Sequence, residues 1–296
     1  MTVVSDYITS CWEEIGGRKG YPVSEWYSMT EGICPGSTPP QLEAWVEILD
    51  EYLCWCVSYV TVLQYILYKQ KSTVLCRSFL VIGAAIVSLT ASIRQLVLSG
   101  HELPSRHLMR CLREYVDLQC ILQMNPSLCE QFVKTQDEVS ANAFWHRHLS
   151  KSKFKKSLNS TDISREAVTE YISWRDCEDK VFAMASHPSF GASAGLVLLP
   201  RIGEKPEEIY DWFGFLGICS MSSVRTVEYA IYTLGHYAAI CVVPALIPEL
   251  EEDEFIMELY VHANSGKCIL RKLGAWVCDH RDSPELRSVV TPQDSN

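Results

Sequence analysis

TPPQLEAWVEILDEYLCWCVSYVTVLQYIL, Thr38 to Leu67, decides the fold class. Thr38-Pro39-Pro40-Gln41 has the form of a capping box, with proline in the first helical turn, where its missing N–H would have no partner anyway. Behind it Leu42, Trp45, Val46, Leu49, Leu53, Cys56, Val60, Leu63 and Leu67 recur at i, i+3 and i+4. The stripe predicts one long amphipathic helix with those residues facing the core.

Helix signals continue on the C-terminal side. A second helix is expected from about Thr73 to Ser99, apolar on nearly all sides and therefore central, with Gly100 as its stop. A third runs from about Pro104 to Met124, where Asn125-Pro126 breaks it. Ser127-Leu-Cys-Glu130 reads as a second capping box that opens a fourth helix to about His148. The polar, basic segment His146 to Ser160 reads as a solvated loop, and a fifth helix is expected over about Asp162 to Ser186.

Three more helices follow: one from Pro206, one over about Ser222 to Val243, and one from Pro248 that closes near Asn264-Ser265-Gly266. Glu207 and Glu208, and Glu249, Glu251, Glu252 and Asp253, place acids in first turns, where they suit the helix dipole. About eight helices in series, with no alternating strand pattern, predict an all-α multi-helix bundle. Residues 1–38 read as an N-terminal arm, 39–282 as a single helical domain and 283–296 as a loose C-terminal tail.

Bulk properties narrow the function. The 296 residues are 48% hydrophobic and 21% charged, with a net charge of −10. That composition excludes wholesale disorder, and an acidic balance argues against broad, sequence-independent binding to nucleic acid. Thirteen cysteines, an odd number without any CxxC, are expected as reduced, mostly buried thiols. The N-terminus MTVVSDYITSCWEEIGG lacks the basic start and apolar run of a signal peptide, so a cytoplasmic protein is expected. Two uncharged runs, Ser78 to Ile93 and Tyr229 to Pro248, raise the question of a membrane. The first is short of the roughly 20 residues a span needs, and His236, Pro244 and Pro248 interrupt the second; no membrane insertion is expected.

Neither a P-loop nor GxGxxG nor HExxH occurs, so no cofactor is expected. His146/His148 and Glu258/His262 are lone pairs where a metal needs three or four ligands, and no metal site is expected. Gly191-Ala-Ser193-Ala-Gly195 fits G-x-S-x-G, but the strand that should precede the serine is missing, which leaves a small-residue turn.

The polar constellation that stands out lies in SRHLMRCLREY, Ser105 to Tyr115. Arg110 and Glu114 share a helix face; turned inward they would have to satisfy each other or a third group, because an unpaired buried charge is very costly. His187, in Ala185-Ser186-His187-Pro188, is the candidate third member. Over about residues 75–190 this pattern resembles a family of all-helical microbial proteins classed as a domain of unknown function, loosely similar to the HEPN (higher-eukaryote and prokaryote nucleotide-binding) nucleases. The family shows L-x-R-S-x-x-E on one helix and a later histidine; here Cys111 stands in for the serine and Arg113 occupies an apolar position. The resemblance marks Arg110, Glu114 and His187 as site residues. Arg94-x6-His101 also fits the Arg-to-His spacing of such nucleases, a match common by chance.

Three functions are compatible with these residues. In a non-catalytic scaffold or interaction protein, with a protein partner or self-association, the Arg/Glu/His cluster is a structural knot. In a metal-independent nuclease-like enzyme Arg110 would hold phosphate, His187 would act as acid/base and Glu114 would orient one of them. RNA would then meet residues 146–156 through Arg147, Lys151, Lys153, Lys155 and Lys156. In a small-ligand binder, Trp and Tyr side chains would line a pocket.

Overall fold

The computed structural model describes residues 40–69, 73–159, 169, 171–176, 180, 219, 221–242, 253–280, 282–284 and 286. Among them there is no strand, and the fold is all-α as the sequence predicts. The long helices are α1 (Pro40–Lys69), α2 (Val74–Leu98) and α3 (Glu102–Met124). Three short ones follow: α4 (Cys129–Phe132), α5 (Glu138–Phe144) and α6 (Lys151–Asn159). Two more long helices, α7 (Met221–Ile240) and α8 (Glu254–His280), complete the described bundle. α1 packs against α2, α7 and α8, while α3 lies against α2 and α7.

Local chemistry sets several boundaries. Thr73 caps α2, its hydroxyl accepting from the Cys76 amide at 3.1 Å. At the other end Gly100 takes φ 70°, and the Gly100 and His101 amides donate back to the Val97 and Leu96 carbonyls. That is a Schellman ending, and the left-handed residue it requires is best supplied by glycine. α2 is long and apolar enough to cross a membrane by length and composition. Its outward face carries Arg77, Ser88, Ser92 and Gln95 together with exposed Val81 and Leu98, while Phe79, Ile82, Ile86, Ile93 and Val97 are buried in the bundle.

Three expectations about elements need correction. The fourth helix is not continuous: a 3-10 turn (Pro126–Leu128), α4, α5 and a π-helical turn (Trp145–Leu149) occupy that stretch. Ser127 bonds the Asn125 side chain, and the actual capping box is Asp137 with Ser140. The basic segment is α6 rather than a loop, because Phe154 and Leu158, four residues apart, are both buried. Finally, α8 runs through Gly266 to His280 instead of ending there.

Gly266 serves packing. A Cβ at that position would come within 3.0 Å of Trp55 Cδ1. Trp55 is fully buried, stacks on Tyr59 at 5.5 Å and donates its indole N–H to the Ala263 carbonyl at 2.9 Å. The helix accepts a glycine so that this ring can lie against its backbone. Leu42, Trp45, Val46, Leu49, Cys56 and Leu63 of the expected α1 stripe are buried, but Tyr52, Trp55, Tyr59 and Ile66 join them while Leu53, Val60 and Leu67 are only part-buried.

More polar contacts tie α1 to the C-terminal part of the chain. Trp45 donates to the Leu286 carbonyl (2.8 Å), Tyr52 to the Leu270 carbonyl (3.2 Å) and Tyr65 to Asp253 Oδ2 (2.7 Å). Ser58 meets His262 Nδ1 at 2.8 Å. Asp253 also caps α8, accepting from the Ile256 amide at 3.2 Å. Residues 284 and 286, in the segment read as a tail, lie against the start of α1, where Gln41 donates to the Pro284 carbonyl at 3.1 Å.

Trp55 is pinned by stacking and by its hydrogen bond, so it cannot yield to a new methyl group. Gly266→Ala is therefore expected to lower unfolding free energy by about 1–3 kcal/mol, against the roughly 1 kcal/mol that helix propensity alone would add. Urea unfolding of the variant against wild type measures the sign.

Candidate functional site

The sequence points first to α3. Arg110 Nε lies 3.2 Å from Glu114 Oε1, with side chains 43% and 35% exposed. The pair lies on the outer side of the helix beside exposed Cys111 and Tyr115, an orientation that its spacing in the sequence left open. Leu112, Arg113, Val116 and Asp117 take the interior face instead. His187, the expected third member, lies outside the described residues, as does the Gly191–Gly195 motif. Arg94 makes a two-pronged ion pair with Asp50 of α1, at 2.5 and 2.8 Å, and His101 stands before α3 begins.

Buried charge on α3 sits elsewhere and joins helices. Glu102 Oε1 accepts from Arg106 Nε and from the Thr226 hydroxyl of α7, each at 2.7 Å. One turn past Arg113, Asp117 is buried. Arg175 donates to its Oδ2 at 2.5 Å and Tyr171 to its Oδ1 at 3.2 Å, both from the helical residues 171–176. The Arg175 guanidinium also lies 4.1 Å above the centre of the Phe154 ring of α6, a cation–π contact. Burial, with the Asp117 charge second, holds the Tyr171 phenol well above its usual range. The same two causes push the Cys120 thiol to about 12. This network was not legible beforehand, because its acid and its base stand far apart in sequence.

In the basic segment Arg147, Lys153, Lys155 and Lys156 are exposed, and Lys151 opens α6. Phe154, the aromatic among them, is sealed beneath Arg175 and offers no face on which a base could stack. All ten described cysteines are free thiols. Among the described residues no three His, Cys, Asp or Glu side chains gather as metal ligands would.

A second candidate site lies between α7 and α8. There a half-open cleft of about 280 Å³ has Tyr52 of α1 in its wall. Gly235 and His236 line it from α7; Lys267, Arg271 and Gly274 line it from α8. The His236 ring packs against Tyr171 at 4.6 Å and Trp174 at 4.9 Å, and it forms no hydrogen bond with a described residue. Burial lowers its pKa to about 4, so it is a neutral imidazole at neutral pH. Tyr52 is pushed up to about 12, first by burial and then by Cys278. Lys267 donates to the Cys241 carbonyl just past the end of α7, a favourable place for a cation. The available signal was Gly235-His236 within the uncharged C-terminal half of α7, and Gly274 within α8. No protein-family model, curated protein or solved structure matches the chain.

Two predictions separate these groups. Replacing both Arg110 and Glu114 by alanine is expected to cost under about 0.5 kcal/mol, as for other exposed pairs. Asp117→Ala strands Arg175 in the interior and is expected to cost about 3–5 kcal/mol, read from the same denaturant curves.

His236 generates a pH dependence. The unfolded chain protonates this ring near its usual 6.5 and the folded protein only near 4. Its contribution is complete above about pH 6.5 and is lost as pH falls towards 4, a difference of about 3 kcal/mol. His236→Phe is expected to flatten that part of the stability profile, read from denaturant unfolding between pH 4 and 7.

Proposed function

We propose that the protein is a non-catalytic helical scaffold that pairs with a second copy of itself through α8. The observation that carries this reading is the outward face of that helix. Phe255, Val261, Ile269 and Trp276 are 62%, 51%, 60% and 45% exposed. Glu258, Ser265, Cys268 and Lys272 lie among them, also exposed. Large apolar side chains left on one helix face favour association, since covering them removes apolar surface from water.

The order of these residues favours a copy of the same helix running antiparallel. With a two-fold axis at Ser265, Val261 meets Ile269 of the second copy. Glu258, seven residues before the axis, meets Lys272, seven after it. Phe255 falls near Ala275 and Trp276 at both ends. A two-fold interface must be self-complementary in this way, and the small serine lets the helices approach at the centre. Glu258 and Lys272 have no ion-pair partner among the described residues.

The buried charges support a scaffold over a nuclease. Glu102 and Asp117 are both engaged in joining helices, and Arg110 with Glu114 forms a solvated pair on one helix. An enzyme of the expected kind needs its phosphate-binding arginine beside an acid/base inside a cleft.

Light scattering after gel filtration is the direct test. Twice the chain mass of 33.6 kDa is expected at tens of micromolar for wild type, and a monomer for Ile269→Asp with an unchanged melting temperature. Glu258→Lys should also yield a monomer, and adding Lys272→Glu should restore pairing. Under mild oxidation Ser265→Cys should cross-link across the axis while wild type does not. A monomeric wild type, or an Ile269→Asp dimer, rejects the reading.

A further inference from the structure

Four glycines sit inside described helices, and they divide into two kinds. At Gly83 a Cβ would fall 2.8 Å from Val60 Cγ2, and at Gly266 3.0 Å from Trp55, so both are needed for close packing. At Gly235 and Gly274 the nearest atom to an added Cβ is the Tyr52 hydroxyl, at 3.7 and 3.5 Å. Those are ordinary contact distances, and an alanine would fit. Each of these two glycines gives up roughly 1 kcal/mol of helix propensity without a packing need. Both line the cleft between α7 and α8, where a methyl group on either would take up part of the open space.

The rest of the lining defines what that space suits. Ile231, Leu270 and Val277 make it apolar, and Tyr232 adds an aromatic ring. Lys267 and Arg271, one turn apart on α8, bring two cations to it, and neither Asp nor Glu is among its described lining residues. Lys267 has donors to spare beyond its bond to the Cys241 carbonyl. Arg271 is exposed and forms no ion pair with a described residue. The neutral His236 ring adds a polar edge that no described side chain satisfies. In a chain of net charge −10, a concave site with two cations and no acid among its described lining runs counter to the prevailing charge and favours an anion.

We infer that the cleft between α7 and α8 is a binding site for a small aromatic carboxylate, its ring over Tyr52 between Gly235 and Gly274 and its carboxylate on Arg271 and Lys267. A volume of about 280 Å³ accommodates one ring with a short acidic arm, at the lower end of small-molecule sites. Arginine suits this role, because its planar fork meets a carboxylate through two parallel hydrogen bonds. The site goes beyond self-pairing: it uses the side of α8 turned towards α7, so either can fail without the other.

The 296-residue chain is titrated by calorimetry with 3-phenylpropionate and, separately, with its uncharged amide, 3-phenylpropanamide. The acid is expected to bind at least about tenfold more tightly than the amide, and Arg271→Gln to remove about that factor for the acid alone. The double variant Gly235→Ala/Gly274→Ala is expected to melt no lower than wild type and to bind the acid about tenfold more weakly. Equal affinity for acid and amide, or no binding of either, overturns the inference. So does a double-alanine variant that binds as wild type does. A double variant that melts below wild type overturns it as well, since the glycines would then serve packing.

Discussion

The contact on which the rest of the structure depends is the Trp55 indole lying against the backbone of α8 at Gly266. It joins a stacked ring, a hydrogen bond to the Ala263 carbonyl and a glycine without which the ring could not come so close. Tyr52, Ser58 and Tyr65 extend the same seam along α1, and Trp45 continues it to Leu286. All run antiparallel, so the register of α8 against α1 is set at several points. Tyrosine and tryptophan suit such a seam, since each buries a large apolar body while its polar atom finds a carbonyl or carboxylate. Non-directional aliphatic packing would have left α8 freer to slide or turn.

Fixing the register of α8 has two consequences. It turns Gly274, Arg271 and Lys267 towards α7, where they complete the cleft beside His236. It also turns Phe255, Val261, Ile269 and Trp276 to solvent. The cleft and the exposed apolar face are thus two sides of one helix whose rotation α1 dictates. α3 braces the other side of the bundle in a different way, through Glu102 to Thr226 and Asp117 to Arg175 and Tyr171. Buried charges of this kind are costly when unmatched, so they hold partners in place more than they add stability.

The sequence and the structure agree on what depends on local chemistry. α2 begins next to Thr73, Gly100 ends it with positive φ, and α3 finishes at Met124 before Asn125-Pro126. They part where a residue's use depends on a distant neighbour. Gly266 carries the local signature of a helix end and is instead a packing glycine, because Trp55 occupies the space beside it. Lys-rich α6 looks like a loop until Arg175 and the core cover Phe154. Arg110 and Glu114 have the spacing of a pair, which they are, but which way the pair faces depends on how α3 packs against α2 and α7.

By itself, then, the sequence determined the all-α class, the positions of most long helices, and the mutual reach of Arg110 and Glu114. These follow from capping, from backbone conformation and from a period of 3.6 residues, all properties of neighbours in the chain. Tertiary structure alone decided that Glu102 and Asp117 rather than Glu114 are the buried acids of α3, that α8 continues to His280, and that Gly235 and Gly274 border one space. Each of those depends on side chains distant in sequence competing for the same volume, and close packing admits only the arrangement that fills it.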